Sequence, residues 1–125
     1  MVIVTVTMFA GKLAPVPIVT KQLIASNNVT TILKDPVIGT IGYGITTDSS
    51  GNIYCVNSQY RILRVSPNGN VDMFISSGLN SPVGITCINN NLYICDKNNF
   101  RILSVDLLSV NAPVTINSSH VFAGG

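Results

Sequence analysis

The run Gly44-Ile45-Thr46-Thr47-Asp48, followed by Asn52-Ile53-Tyr54-Cys55-Val56-Asn57 and Arg61-Ile62-Leu63-Arg64-Val65-Ser66, decides the fold, because the chain repeats it. The second version is Gly84-Ile85-Thr86-Cys87-Ile88, Asn91-Leu92-Tyr93-Ile94-Cys95-Asp96 and Arg101-Ile102-Leu103-Ser104-Val105-Asp106. Gly44 and Gly84 stand 40 positions apart, as do Arg61 and Arg101. Self-similarity at a fixed period of this length marks a repeat architecture, in which each unit is one supersecondary element stacked on the next.

Each unit divides into four short strands punctuated by turn chemistry. In the first, the inner strand is expected over 42–48 and the next over Ile53 to Asn57. Asp48-Ser49-Ser50-Gly51-Asn52 between them supplies residues that tolerate positive φ. Arg61 to Ser66 is the third strand, and Ser66-Pro67-Asn68-Gly69 turns the chain into the fourth, Val71 to Ile75. The second unit follows the same order: Pro82 to Ile88, an Asn89-Asn90-Asn91 turn, Leu92 to Asp96, and Phe100 to Asp106. An insertion near 107–113 then precedes an outer strand expected from Val114 to about Ala123, with His120 inside it. Met8-Phe9-Ala10-Gly11, Met73-Phe74-Ile75-Ser76 and Val121-Phe122-Ala123-Gly124 rhyme as outer-strand ends. Val2 to Phe9 therefore reads as the outer strand of a preceding unit rather than as a signal-peptide core. The resulting organisation is 1–41 as outer strand plus irregular connection, 42–76 as one unit and 77–125 as the next. Within the connection, Ile18 to Ala25 and Val29 to Lys34 are expected to form a hairpin.

Ile53-Tyr54-Cys55-Val56 and Leu92-Tyr93-Ile94-Cys95 are continuous apolar runs. A sheet with one wet face would alternate, whereas a sheet covered on both faces need not. Period and pattern converge on an all-β chain of four-stranded antiparallel blades forming an incomplete β-propeller of about two blades. Two blades leave an open apolar flank on each side, and such flanks are association sites.

Composition supports a β chain. Hydrophobic residues make up 46% and there is no Glu, while Val, Ile and Thr abound. Charged residues are only 10%, against a usual level of about 25%. The net charge of +2 comes from seven scattered basic residues, which make no nucleic-acid footprint. No apolar run approaches the roughly 18 residues of a membrane span. Few charges with much Asn, Ser and Thr suit a structural surface, extracellular or virion-associated. Cys55, Cys87 and Cys95 lie in apolar strand patterns and read as small buried hydrophobes, with a Cys87–Cys95 cross-strand disulfide as the competing reading. Asn28 and Asn117 head Asn-x-Ser/Thr acceptors, which matter in a glycosylating pathway.

The units resemble the NHL-repeat family of β-propellers. That family's blade reads roughly Pro-x-Gly-Ile-Ala-Val-Asp, Gly-Asn-Ile-Tyr-Val-Ala-Asp and Asn-x-Arg-Ile-x-x-Phe. Gly44 to Asp48, Gly51 to Asn57 and Arg61-Ile62 match it, as do Pro82 to Ile85, Asn91 to Asp96, Asn99 and Arg101-Ile102. Asn57 departs from the usual Asp, and the first unit lacks the Pro before its inner Gly. Gluconolactonase-like propellers share much of the pattern. The resemblance implies that Asn57 and Asp96, with Arg61 and Arg101, tie the loops of a blade or contact a ligand at the propeller face.

The expected function is a non-catalytic interaction or structural module, part of a longer chain or an assembly, whose flanks meet protein partners or further blades. No cofactor is expected for it. The alternative is a fragment of a metal-dependent lactonase- or lyase-type enzyme, which needs a divalent ion held by acidic and amide groups. Asp35, Asp48, Asp72, Asp96 and Asp106 are the only carboxylates, and none forms a calcium-loop spacing. His120, the single histidine, lacks sequence partners for a metal or a proton-transfer site.

Overall fold

The computed structural model describes residues 2–7, 18–23 and 39–125, the first two segments as backbone strands. The chain forms two compact units, Met1–Leu33 and Lys34–Gly125. In the first unit, β1 (Val2–Thr7) pairs antiparallel with β2 (Ile18–Leu23), from Val2 opposite Leu23 to Thr7 opposite Ile18. The Val29 to Lys34 half of the expected hairpin, the Met8-to-Gly11 rhyme and Asn28 lie outside the described residues.

The second unit is all-β, and no α-helix occurs among the described residues. Its strands are β3 (Ile41–Thr47), β4 (Ile53–Asn57), β5 (Ile62–Val65), β6 (Val71–Ser77), β7 (Pro82–Ile88), β8 (Asn91–Asp96), β9 (Arg101–Asp106), β10 (Val114–Thr115) and β11 (Val121–Gly124). They make two sheets, ordered β10-β6-β5-β4-β3 and β11-β9-β8-β7. Each is an antiparallel meander of consecutive strands, apart from β10.

The turns form where the sequence supplies their chemistry. Gly51 and Gly69 take φ values of +83° and +88°, closing the β3–β4 and β5–β6 hairpins. Asp48 Oδ1 also accepts the backbone N–H groups of Ser50 and Asn52, fixing the first of them. Asn89 and Asn90 (φ +48° and +63°) join β7 to β8 in a two-residue loop whose left-handed pair matches the strand twist.

The expected outer strand of the second unit is split. Residues 107–113 lead the chain away from its own sheet, and β10 pairs parallel with β6, Val114 opposite Ile75 and Thr115 opposite Ser77. Ile116 N–H donates to the Ser77 carbonyl at 3.0 Å. The chain then turns through Ser118–His120 and returns as β11, antiparallel to β9. His120 is thus in a capping turn and not within a strand: its Nδ1 accepts the Asn117 N–H, while Asn117 Oδ1 accepts the Ser119 N–H.

The sheets stack face to face. Tyr54, Val56, Ile62, Phe74 and Ile75 of the first bury against Leu92, Ile94, Leu103 and Val105 of the second, with Val114 and Ile116 closing the outer end. At the inner end the backbones approach so closely that a Cβ on Gly44 would lie 3.2 Å from both the Val83 carbonyl oxygen and the Ile85 nitrogen. A side chain there would force the facing backbone to give by a few tenths of an ångström, which glycine avoids. Beside it, Cys87 N–H donates to Thr46 Oγ1 at 3.1 Å.

Candidate functional site

The loops carrying the sequence-selected polar residues are the β4–β5 and β8–β9 connections. Asp96 is fully buried. Its Oδ1 accepts the Asn80 N–H at 2.6 Å, and its Oδ2 accepts Asn99 Nδ2 and Arg101 Nε, both at 2.8 Å. Arg101 Nη2 continues to the Gly78 carbonyl at 2.8 Å. This ion pair therefore ties the β8–β9 loop to the segment linking the two sheets. Asn57, also fully buried, accepts the N–H groups of Gln59 and Arg61 on Oδ1. The exposed Arg61 side chain reaches Gln59 Oε1 at 3.1 Å. Arg101 stands five positions after Asp96, whereas Arg61 stands four after Asn57, and the 3-10 turn over Lys97–Asn99 fills the longer spacing.

Asp48 accepts four hydrogen bonds, from Ser50 N, Asn52 N, Asn52 Nδ2 and the Tyr54 hydroxyl. Burial pushes its pKa up, but these bonds together outweigh burial and hold the carboxyl below its ordinary value. Burial first, then the bond to Asp48, pushes the Tyr54 phenol up to about 12. Arg64 makes a two-point pair with Asp72 (3.0 and 2.6 Å) and lies 5.4 Å from the Phe74 ring centre. These groups brace the first sheet. Among the described residues, no three of His, Cys, Asp and Glu lie together as a metal group. Asp35 lies outside those residues.

The cysteines differ from the uniform burial expected of them. Cys55 is buried, Cys87 half-buried and Cys95 exposed, all as free thiols. Cys87 stands opposite Leu92 and Cys95 opposite Gly84, so they project from opposite faces of the hairpin and form no cross-strand disulfide. Burial raises the pKa of Cys55.

Cys95 belongs to the face of the second sheet turned away from the first. That face carries Thr86, Tyr93, Cys95, Ile102 and Phe122, which with Gly84 line a shallow apolar groove of about 420 Å³. Tyr93, Cys95, Ile102 and Phe122 occupy the repeat positions of Tyr54, Val56, Ile62 and Phe74. The counterparts are sealed between the sheets, whereas Ile102 is 39% exposed and Phe122 64%, against 0% for Ile62 and 2% for Phe74. The aromatic geometry is preserved. Tyr93 and Phe122 meet edge to face at 5.3 Å and 81°, as Tyr54 and Phe74 do at 5.1 Å and 74°.

An open flank on each side was the expectation. On the first sheet the corresponding outer positions Cys55, Leu63 and Val65 are buried while Ile45, opposite Cys55 on the same face, is 67% exposed; the apolar groove that spans several strands is that of the second sheet. The sequence held the signal for it: superposing Tyr54 on Tyr93 pairs every exposed apolar residue of this face with a buried one. Tyr54 packs between the sheets, whereas its repeat equivalent Tyr93 stands on the open face. No helix among the described residues is long and apolar enough to cross a membrane. No protein-family model and no curated protein matches the chain.

Proposed function

We propose that this chain is a segment of β-propeller type serving as a non-catalytic interaction module, with the outer face of its second sheet as the working surface. One observation carries the reading: Tyr93, Cys95, Ile102 and Phe122 keep the residue types and aromatic geometry of a sheet-to-sheet interface while standing in solvent. A contiguous apolar face on an otherwise folded body is the mark of a binding surface. The meander order of the sheets and the close inner strands at Gly44 fit blades set around an axis. The NHL-like spacing of the repeats supports the same arrangement.

The test uses Cys95 as an attachment point. A thiol-linked photocrosslinker is placed there, in a Cys87→Ser background, and irradiated in an extract of the source cells. The expected result is a discrete protein adduct that an added Ile102→Asp substitution abolishes. Absence of an adduct, or one indifferent to Ile102→Asp, overturns the reading. So does a stoichiometric divalent ion in the purified protein accompanied by lactone hydrolysis, the signature of the enzyme alternative.

A further inference from the structure

The stacking of the two sheets has a direction, and the direction specifies an occupant. Alternate residues along each strand project to opposite faces, so every sheet has an A face and a B face. In the second sheet the A face is Leu92, Ile94, Leu103 and Val105; the B face is Tyr93, Cys95, Ile102 and Phe122. In the first, the A face is Ile53, Cys55, Leu63 and Val65; the B face is Tyr54, Val56, Ile62 and Phe74. The observed interface joins the B face of the first sheet to the A face of the second. It is heterologous, and such a contact leaves an unsatisfied B face at its leading end.

We infer that the exposed B face of the second sheet takes a further antiparallel β-sheet of the same blade type, docked through an aliphatic A face. This deepens the function proposed above and rests on it. Three features favour a sheet over other apolar partners. The B face repeats one that already holds a sheet, with the tyrosine–phenylalanine pair in the same edge-to-face arrangement. Gly84 stands at the inner strand where Gly44 admits the neighbouring backbone in the existing interface. The lining is apolar, with Thr86 at the position where Thr46 receives the Cys87 N–H. A second copy of this chain would offer a different A face, with Cys55, Leu63 and Val65 buried and only the edge residue Ile45 exposed, in place of a free aliphatic set. The required A face is of the Leu-Ile-Leu-Val kind, continuing the established interface by one step.

The experiment extends the full chain by appending a second copy of residues 79–125 after Gly125, with Cys87→Ser and Cys95→Ser in the appended copy. Modification of the original Cys95 by a maleimide is followed by peptide mapping in the extended and unextended proteins. The expected result is at least a tenfold slower modification in the extended protein, restored to the unextended rate when the appended copy carries Leu103→Asp. Unchanged reactivity overturns the inference whether or not the appended sheet folds, since a complementary face would have folded onto this one. Protection of Cys95 in the unextended chain that grows with its concentration also overturns it, in favour of self-association. If either result accompanies a retained Ile102-dependent crosslink, the interaction surface stands and only its occupant changes.

Discussion

Replacing Arg101 by alanine removes the cation facing Asp96 and leaves a carboxylate with no solvent exposure. The Arg101 side chain is itself only 17% exposed and its Nε lies 2.8 Å from Oδ2. A charge pair at that separation is worth about 6 kcal/mol at an effective dielectric of about 20. Most of this is offset by the desolvation of both groups, but deleting one partner leaves that desolvation uncompensated, at a cost of about 3–5 kcal/mol. Asp96 keeps two neutral donors, Asn80 N–H and Asn99 Nδ2, so the lower end applies, about 3 kcal/mol. Urea unfolding followed by circular dichroism reads it as a midpoint lowered by about 2 M for an m-value near 1.5 kcal/mol per M. Adding Asp96→Asn gives the second loop the neutral amide that Asn57 supplies in the first, and recovers about 1 kcal/mol. The internal control is Arg61→Ala at the equivalent repeat position, where an exposed guanidinium touches Gln59; its effect stays within about 0.5 kcal/mol. Equal costs for the two arginines, or no recovery in the double variant, would refute the assignment of the Asp96–Arg101 pair as the tie between loop and linker.

Gly44→Val forces a branched side chain onto the Val83 and Ile85 backbone and costs about 2 kcal/mol, whereas Gly42→Ala, with open space around it, stays within about 0.5; the same urea titration separates them. Phe74→Ala empties a buried site and costs about 3–4 kcal/mol, while the equivalent Phe122→Ala costs under about 1 in the isolated chain. Asp48 has a folded-state pKa below its unfolded value, so its contribution is complete above about pH 4 and disappears as pH falls through the folded value. Stability measured from pH 6 to pH 2.5 should therefore decline less steeply for Asp48→Asn than for the parent chain, and an identical slope would remove Asp48 from the acid response.

The strands of the two repeats were legible because their turns are written in residues with a specific backbone use, Gly51, Gly69 and the Asn89-Asn90 pair. A loop-tying role for Asn57 and Asp96 with their arginines came only from the family resemblance, and the difference between the two pairs was not legible. The arginine follows Asp96 by five positions and Asn57 by four, and spacing alone does not give the path of the guanidinium. The outer strand after Val114 was misread because a two-residue parallel pairing with β6 carries no periodic signature, and its apolar residues are as suited to one sheet as to the other. The cysteines were read alike because an unbroken apolar run conceals which residue projects to which face. Cys55 and Cys95 lie in runs of similar composition, yet register places Cys95 beside Ile102 on the open face. Blade counting gives both flanks alike, and it does not register that Cys55, Leu63 and Val65 are buried while Ile45 on the same face is exposed.

The strap formed by β10 has a consequence for how the molecule comes into being. The outermost position of the first sheet is occupied by residues translated after nearly all of the second, so the earlier half is left unfinished until Thr115 has emerged from the ribosome. The halves are laced together rather than strung in series, and they should mature in one step. Cleaving the peptide link around residues 78–81 would therefore yield two fragments that stay clasped, the later one still holding the edge of the earlier.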